Sequence, residues 1–167
     1  MTGDEVTVGL ITADDWQTWR DIRLRALLDA PNAFGSTYDR EAAYGEADFR
    51  AHLGPESPAV LALSRGRPVG MGGGYPDAAG WLRVVAMWVD PGWRGGSIGR
   101  RILDVIVQEA LARGLRPHLD VEVGNGGARR LYEGYGFVAT GRKRPLRPGS
   151  AHHVEEMVLS DAVTRRP

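Results

Sequence analysis

Apolar positions in this chain fall into short runs with two different periods. Val6 to Ile11 is a β-branched run, and Thr12-Ala13-Asp14-Asp15 after it supplies helix-capping residues, so a strand passes into a helix there. In that helix Trp19, Ile22, Ala26 and Leu27 recur at near-helical spacing to about Asp29, and Pro31 stops it. Pro31 to Asp39 reads as a loop, and Glu41 to Leu53 as a second helix interrupted by Gly45. Ala59 to Leu63 and Val69 to Tyr75 are apolar strands joined by a hairpin turn at Arg65-Gly66-Arg67-Pro68.

Trp81 to Val89 carries Arg83 as its only charge, the pattern of a central strand covered on both faces, and Asp90-Pro91-Gly92 ends it. From Ser97, the residues Ile98, Ile102, Val105, Ile106 and Ala110 form one helical stripe that Gly114 closes. His118 to Val123 alternates, with Leu119, Val121 and Val123 on one face and His118, Asp120 and Glu122 on the other. A helix over Asn125 to Tyr135, a strand opened by Gly136-Phe137, a last strand over His153 to Leu159 and a frayed tail from Thr164 to Pro167 complete the chain. The order predicts a mixed sheet with helices packed on it, α/β or α+β, in one domain over residues 1–167.

Charge changes the picture by exclusion. Lys plus Arg and Asp plus Glu number 21 each, so no overall field draws the chain to nucleic acid, and the aromatics are not interleaved with a basic stripe. An anionic ligand must therefore be held by a local site. There is no cysteine, which removes disulfides, thiolate catalysis and the common structural zinc sites. His152-His153 point to opposite faces of a strand, and no further His or Cys completes a metal set, so no metal is expected. No basic-then-apolar leader opens the sequence and no apolar run approaches the roughly 20 residues of a membrane span. A cytoplasmic chain with no membrane partner is the expectation.

One local site stands out. Arg94-Gly95-Gly96-Ser97-Ile98-Gly99-Arg100 lies between the central strand and the strongest helix, where backbone amides have no intrahelical partner and the helix end is partly positive. Glycines let a ligand approach, and Arg94, Arg100 or Arg101 can add charge, an arrangement suited to pyrophosphate. The same glycines also suit a plain flexible turn. A P-loop would end in Gly-Lys-Ser or Gly-Lys-Thr, and a dinucleotide fold needs two parallel βαβ halves; neither is present.

This segment resembles the acyl-CoA-binding motif of the GNAT superfamily of N-acetyltransferases, Gln/Arg-x-x-Gly-x-Gly/Ala after a central strand. Arg94 and Gly99 match its ends, while Ser97 stands where the pattern has its middle glycine, a departure expected to weaken the fit. Independently, Asn125-Gly126-Gly127-Ala128-Arg129-Arg130-Leu131-Tyr132-Glu133-Gly134-Tyr135-Gly136-Phe137 is similar to the family's downstream signature of Asn, then Ala, Leu-Tyr and Gly-Phe. The likeness covers about Trp81 to Thr140.

The resemblance implies a mostly antiparallel twisted sheet flanked by about four helices, with two parallel central strands, Trp81 to Val89 and His118 to Val123, splayed around a pantetheine arm. It implies that the backbone of Met87, Trp88 and Val89 bonds the pantetheine, that Arg94, Gly95, Gly96, Ser97, Ile98, Gly99 and Arg100 hold the pyrophosphate, and that Asn125 contacts the cofactor near its reactive end. It implies acetyl-CoA as cosubstrate and a small-molecule or peptide amine as acceptor. An amine attacks only when neutral, and a lysine amine has a pKa near 10.4, so a base is useful. Asp120 stands where related enzymes place one, with Glu122 on the same face as the other candidate. Tyr132, seven residues after Asn125, is placed to protonate the leaving thiolate.

Some questions stay open at this level. A silent acyl-CoA-binding sensor is the second function class, which retention of Asp120 and Tyr132 disfavours. The basic run Arg142, Lys143, Arg144 and Arg147, expected in the loop between the last two strands, is solvated surface or part of the acceptor site. An exposed strand edge near the C-terminus leaves room for a homodimer.

Overall fold

A computed structural model of the chain describes residues 5–164. Among them, seven strands form one sheet in the order β1-β2-β3-β4-β5-β7-β6, and six α-helices flank it. The strands are Val6–Leu10 (β1), Ala59–Ser64 (β2), Arg67–Ala78 (β3), Trp81–Val89 (β4), Arg116–Glu122 (β5), Phe137–Pro145 (β6) and His153–Leu159 (β7). The helices are Trp16–Asp29 (α1), Tyr38–Ala42 (α2), Glu46–His52 (α3), Ile98–Ala112 (α4), Gly126–Tyr135 (α5) and Asp161–Thr164 (α6). Of the expected tail, Thr164 closes α6 and residues 165–167 lie outside the described range.

The helix expected over Glu41 to Leu53 is two helices. Thr37 starts the first early, its Oγ1 accepting from the Arg40 amide at 3.3 Å. Gly45 is extended, and the Asp48 carboxylate accepts from its amide at 2.9 Å, so a new cap restarts the chain rather than a kink bending it. The hairpin turn is also shorter than expected. Arg65 and Gly66 both take positive φ, 50° and 79°, and Arg67 already pairs with Ser64. Pro68 therefore lies inside β3, next to a bulge that tolerates its missing N–H.

Every pairing in the sheet is antiparallel except β4 with β5. That parallel ladder is short, running from Trp81 opposite Arg116 to Arg83 opposite His118. Beyond it the two strands part, as the family resemblance implied. A second irregularity sits in β4, where Val85 pairs with Gly73 but Trp88 with Met71, so β4 holds one extra residue. Ala86 absorbs it at φ 60°. A non-glycine residue there is strained, and the bulge reverses the side-chain alternation. Leu82 and Val84, and then Met87 and Val89, all face the core under α4, while Ala86 and Trp88 face the core under α1 and α3.

Those two cores cover the two faces of the sheet. Ile102, Leu103, Ile106, Val107 and Ala110 of α4 are fully buried on one. A Cβ on Gly72 would sit 2.6 Å from both Ile102 Cγ2 and Met87 Sδ, so glycine in β3 is what lets α4 lie against the strands and fixes the height of Met87. At the far edge β6 is exposed beyond Phe137. Among the described residues, no helix is long and apolar enough to cross a membrane.

Candidate functional site

The parting of β4 from β5 opens a groove of about 530 Å³ that runs past the start of α4 and along α5. Met87, Trp88, Val89, Arg94, Gly95, Gly96, Ile98, Gly99, Arg100 and Asn125 line it, which brings together all but one of the residues expected to hold a cofactor. Ser97 is the exception. It is exposed outside the groove, and its φ of −99° is open to any residue; Gly95, at φ 85°, makes the tight turn. The departure at Ser97 therefore places no strain on the turn.

Several features of the groove fit an anion. Among the described residues the amides of residues 95–100 donate to no protein acceptor, so they are available at the positive end of α4. A Cβ on Gly99 would lie 3.2 Å from Leu131 Cδ2, so a side chain there would crowd α5. Arg94 is less free than expected. Its Nε donates to the Val89 carbonyl at 2.8 Å and its Nη2 to Asp29 at 2.8 Å. Trp88 Nε1 also donates to Asp29 at 3.0 Å, and this bond together with Arg94 holds the Asp29 carboxyl below the usual range. Among the described residues Arg100 donates only to the Gly134 carbonyl at 3.3 Å, with its guanidinium 5.3 Å from the Tyr135 ring centre, so more of its charge is available.

Asn125 caps α5, its Oδ1 accepting from the Ala128 amide at 3.2 Å, and this turn aims Tyr132 back toward the gap. Tyr132 is 7% exposed and packs edge-on against Phe137 at 6.1 Å. Its hydroxyl makes no hydrogen bond among the described residues, and burial pushes its pKa up. Tyr132 and Met87 also line a second cavity, of about 240 Å³, on the far side of the gap.

Asp120 stands in that second cavity, with Glu122 beside it. Neither belongs to a freely solvated strand face. Asp120 Oδ2 accepts from Arg83 at 2.5 Å and also from Arg144. Arg83 reaches Asp77 at 2.9 Å, and His118, only 7% exposed, is 2.9 Å from the other oxygen of Asp77. Glu122 lies 3.2 Å from His152 Nδ1. Asp77 lies beyond Tyr75, where the sequence pattern ends the strand, and neither it nor the pairing of Arg83 and Arg144 with Asp120 is marked by that pattern. The lone charge in an otherwise apolar β4 was the available signal for Arg83.

On the other side Arg23 clamps Glu41 at 2.8 and 2.9 Å. Burial works against the charges of Glu41 and Asp77, but Arg23 for the first, and His118 with Arg83 for the second, outweigh it and hold both carboxyls below their ordinary values of 4.5 and 3.8. Because both are more acidic folded than unfolded, their stabilisation is present above about pH 4.5 and is lost as pH falls through the folded values. We expect acidification from pH 7 to pH 3 to cost on the order of 1 kcal/mol from each, read by urea unfolding. An equal acid loss in the Glu41→Gln/Asp77→Asn double variant would refute this assignment.

The model of the acetyltransferase (GNAT) family matches residues 16–137. The chain belongs to the GNAT acetyltransferase family. As a GNAT protein it is an enzyme of acyl transfer. It is 38% identical over 104 residues to the IAA acetyltransferase of Azospirillum brasilense, covering 60% of this chain and 67% of that one. The GNAT-family acetyltransferase of Streptococcus pneumoniae has the same fold, with a TM-score of 0.79 at 18% identity over 92% of this chain and 98% of that one. So does Salmonella typhimurium yncA, solved with its cofactor acetyl-CoA, with a TM-score of 0.74 at 19% identity over 93% and 94%. The matched segment of this GNAT chain ends at Phe137, so it holds the groove and Asp120 but not Arg144.

Proposed function

We propose that the enzyme transfers the acetyl group of acetyl-CoA to a primary amine of a small molecule or peptide by direct attack on the thioester. The observation that carries this is Tyr132 standing in the shared wall of two cavities, one lined by unpaired amides and arginine, the other by Asp120 and Glu122 among three arginines. Residues 94–100 hold the pyrophosphate, the open edge of β4 at Met87 to Val89 aligns the pantetheine, and Asn125 stands near the thioester. The Val89 carbonyl is already occupied by Arg94, so the remaining groups of Met87 to Val89 do this work.

The acceptor arrives as an ammonium ion and gives one proton to Asp120, directly or through water. Its lone pair then forms a C–N bond to the thioester carbonyl, and a backbone amide of β4 receives the developing oxyanion. As the C–S bond breaks, the electron pair leaves on sulfur, which takes the Tyr132 proton, and the new amide nitrogen sheds its second proton to restore the tyrosine. The sum is ammonium plus acetyl-CoA giving amide, coenzyme A and one proton. Coenzyme A release on a panel of simple amines, polyamines, aminoglycosides and peptide N-termini tests this; binding of acetyl-CoA with no release on any member would overturn it.

The phosphate role is tested apart from the chemistry. The Arg94→Ala/Arg100→Ala pair is expected to raise the calorimetric Kd for coenzyme A about 30-fold, most of it from Arg100, because charge-assisted hydrogen bonds to phosphate are the strong ones and Asp29 already offsets Arg94. An unaltered Kd would remove both residues from the site.

A further inference from the structure

Five charged side chains reach the 240 Å³ cavity beside Tyr132: Arg23, Arg83, Asp120, Glu122 and Arg144. Three of them have partners behind the wall. Arg23 is held by Glu41, Arg83 by Asp77 in addition to Asp120, and Glu122 by His152. Arg144 is different. Among the described residues its one charged partner is Asp120, through the same Oδ2 that already accepts from Arg83. Its side chain is 60% exposed, and it reaches across β7 from the edge strand β6, so little holds it in place.

An ammonium that comes to Asp120 at Oδ2 takes the place of Arg144, and one that comes at Oδ1 joins two guanidiniums already on that carboxylate. Were the acceptor to carry positive charge alone, Arg83, Arg144 and the ammonium would crowd one carboxylate in a partly dehydrated cavity, which is unfavourable. An acceptor with its own carboxylate removes the conflict. Its ammonium replaces Arg144 at Asp120, its carboxylate replaces Asp120 at Arg144, and the planar guanidinium fork suits that exchange. Phe34, Tyr75, Leu146 and Val154 supply apolar wall, and Tyr75, Val85 and Ala86 also line a larger cavity of about 710 Å³ beside it.

We infer that the acceptor is a small zwitterion of the α-amino acid type, and that Arg144 determines this specificity by binding its carboxylate. The inference rests on the acetyl-transfer function proposed above and adds the class of acceptor. The test compares kcat/KM for L-phenylalanine and L-leucine with their amides and with 2-phenylethylamine and 3-methylbutylamine. The acids are expected to exceed their uncharged-bodied relatives by about 50-fold, mainly through KM, as loss of a charge-assisted pair implies. Arg144→Gln brings that ratio near one, and Arg144→Lys restores part of it.

Equal rates for acids and amides in the wild type, or a ratio that Arg144→Gln leaves unchanged, would overturn the inference while leaving acetyl transfer intact. No release of coenzyme A from any of the six compounds overturns it as well. Acetyl-CoA binding by the same preparation, together with the broader amine panel, then decides separately whether acetyl transfer itself stands.

Discussion

Tyr132→Phe is expected to lower kcat about 300-fold while the Kd for acetyl-CoA stays within about twofold. The removed hydroxyl makes no hydrogen bond among the described residues, and the ring keeps its edge-on contact with Phe137, so neither fold nor groove loses a structural contact. What is lost is a proton at the point where the two cavities meet. Burial raises the Tyr132 pKa, so the phenol stays protonated through the neutral range and can pass its proton to the sulfur as the C–S bond breaks. General acid catalysis contributes about 10²- to 10⁴-fold, which sets the expected size. Single-turnover acetylation separates the chemical step from product release; an unchanged single-turnover rate would remove Tyr132 from the chemistry.

The position of Tyr132 was legible because it depends on short-range information. Asn125 caps a helix, Tyr132 follows almost two turns later, and Gly136 at φ 123° ends it with no room for a Cβ beside Val163. The same holds for the turn at Arg94, whose groove gathers the predicted residues except Ser97. The partners of those residues were not legible, since each depends on strand register or helix packing. Asp29 and Arg94 are 65 residues apart, Arg83 and Asp120 are 37 apart, and Arg144 meets Asp120 only because β7 inserts between β5 and β6.

The fold divides in the same way. Alternation and helical stripes marked most elements, and the departures occur where local hydrogen bonding overrides the apolar pattern, as in the new cap at Gly45 and the two-residue turn at Arg65-Gly66. The bulge at Ala86 left no mark on the apolar pattern, because Val84 to Val89 is apolar at every position and fits either face. Yet this bulge turns Met87 to the α4 side and so places it between the two cavities. An unbroken strand would leave the groove without that wall.

Asp120→Asn is expected to lower kcat/KM about 100-fold at pH 7, with a deficit that narrows as pH rises toward the pKa of the acceptor's own ammonium. If Asp120 takes the proton, its work is needed only while the acceptor is charged, and solution performs it at high pH. Asparagine keeps the shape and can still accept from Arg83 and Arg144, but it cancels the charge those guanidiniums face. Some stability is lost for that reason, so melting temperature is measured alongside rate. A purely structural role lowers the melting temperature and gives a rate deficit that is the same at every pH, with no narrowing. Glu122→Gln, tested in parallel, is expected to keep most activity, since Asp120 and not Glu122 shares its carboxylate with the guanidinium that an incoming ammonium displaces. The reverse pattern, activity retained in Asp120→Asn and lost in Glu122→Gln, would move the base two residues along β5 and detach Arg144 from acceptor binding.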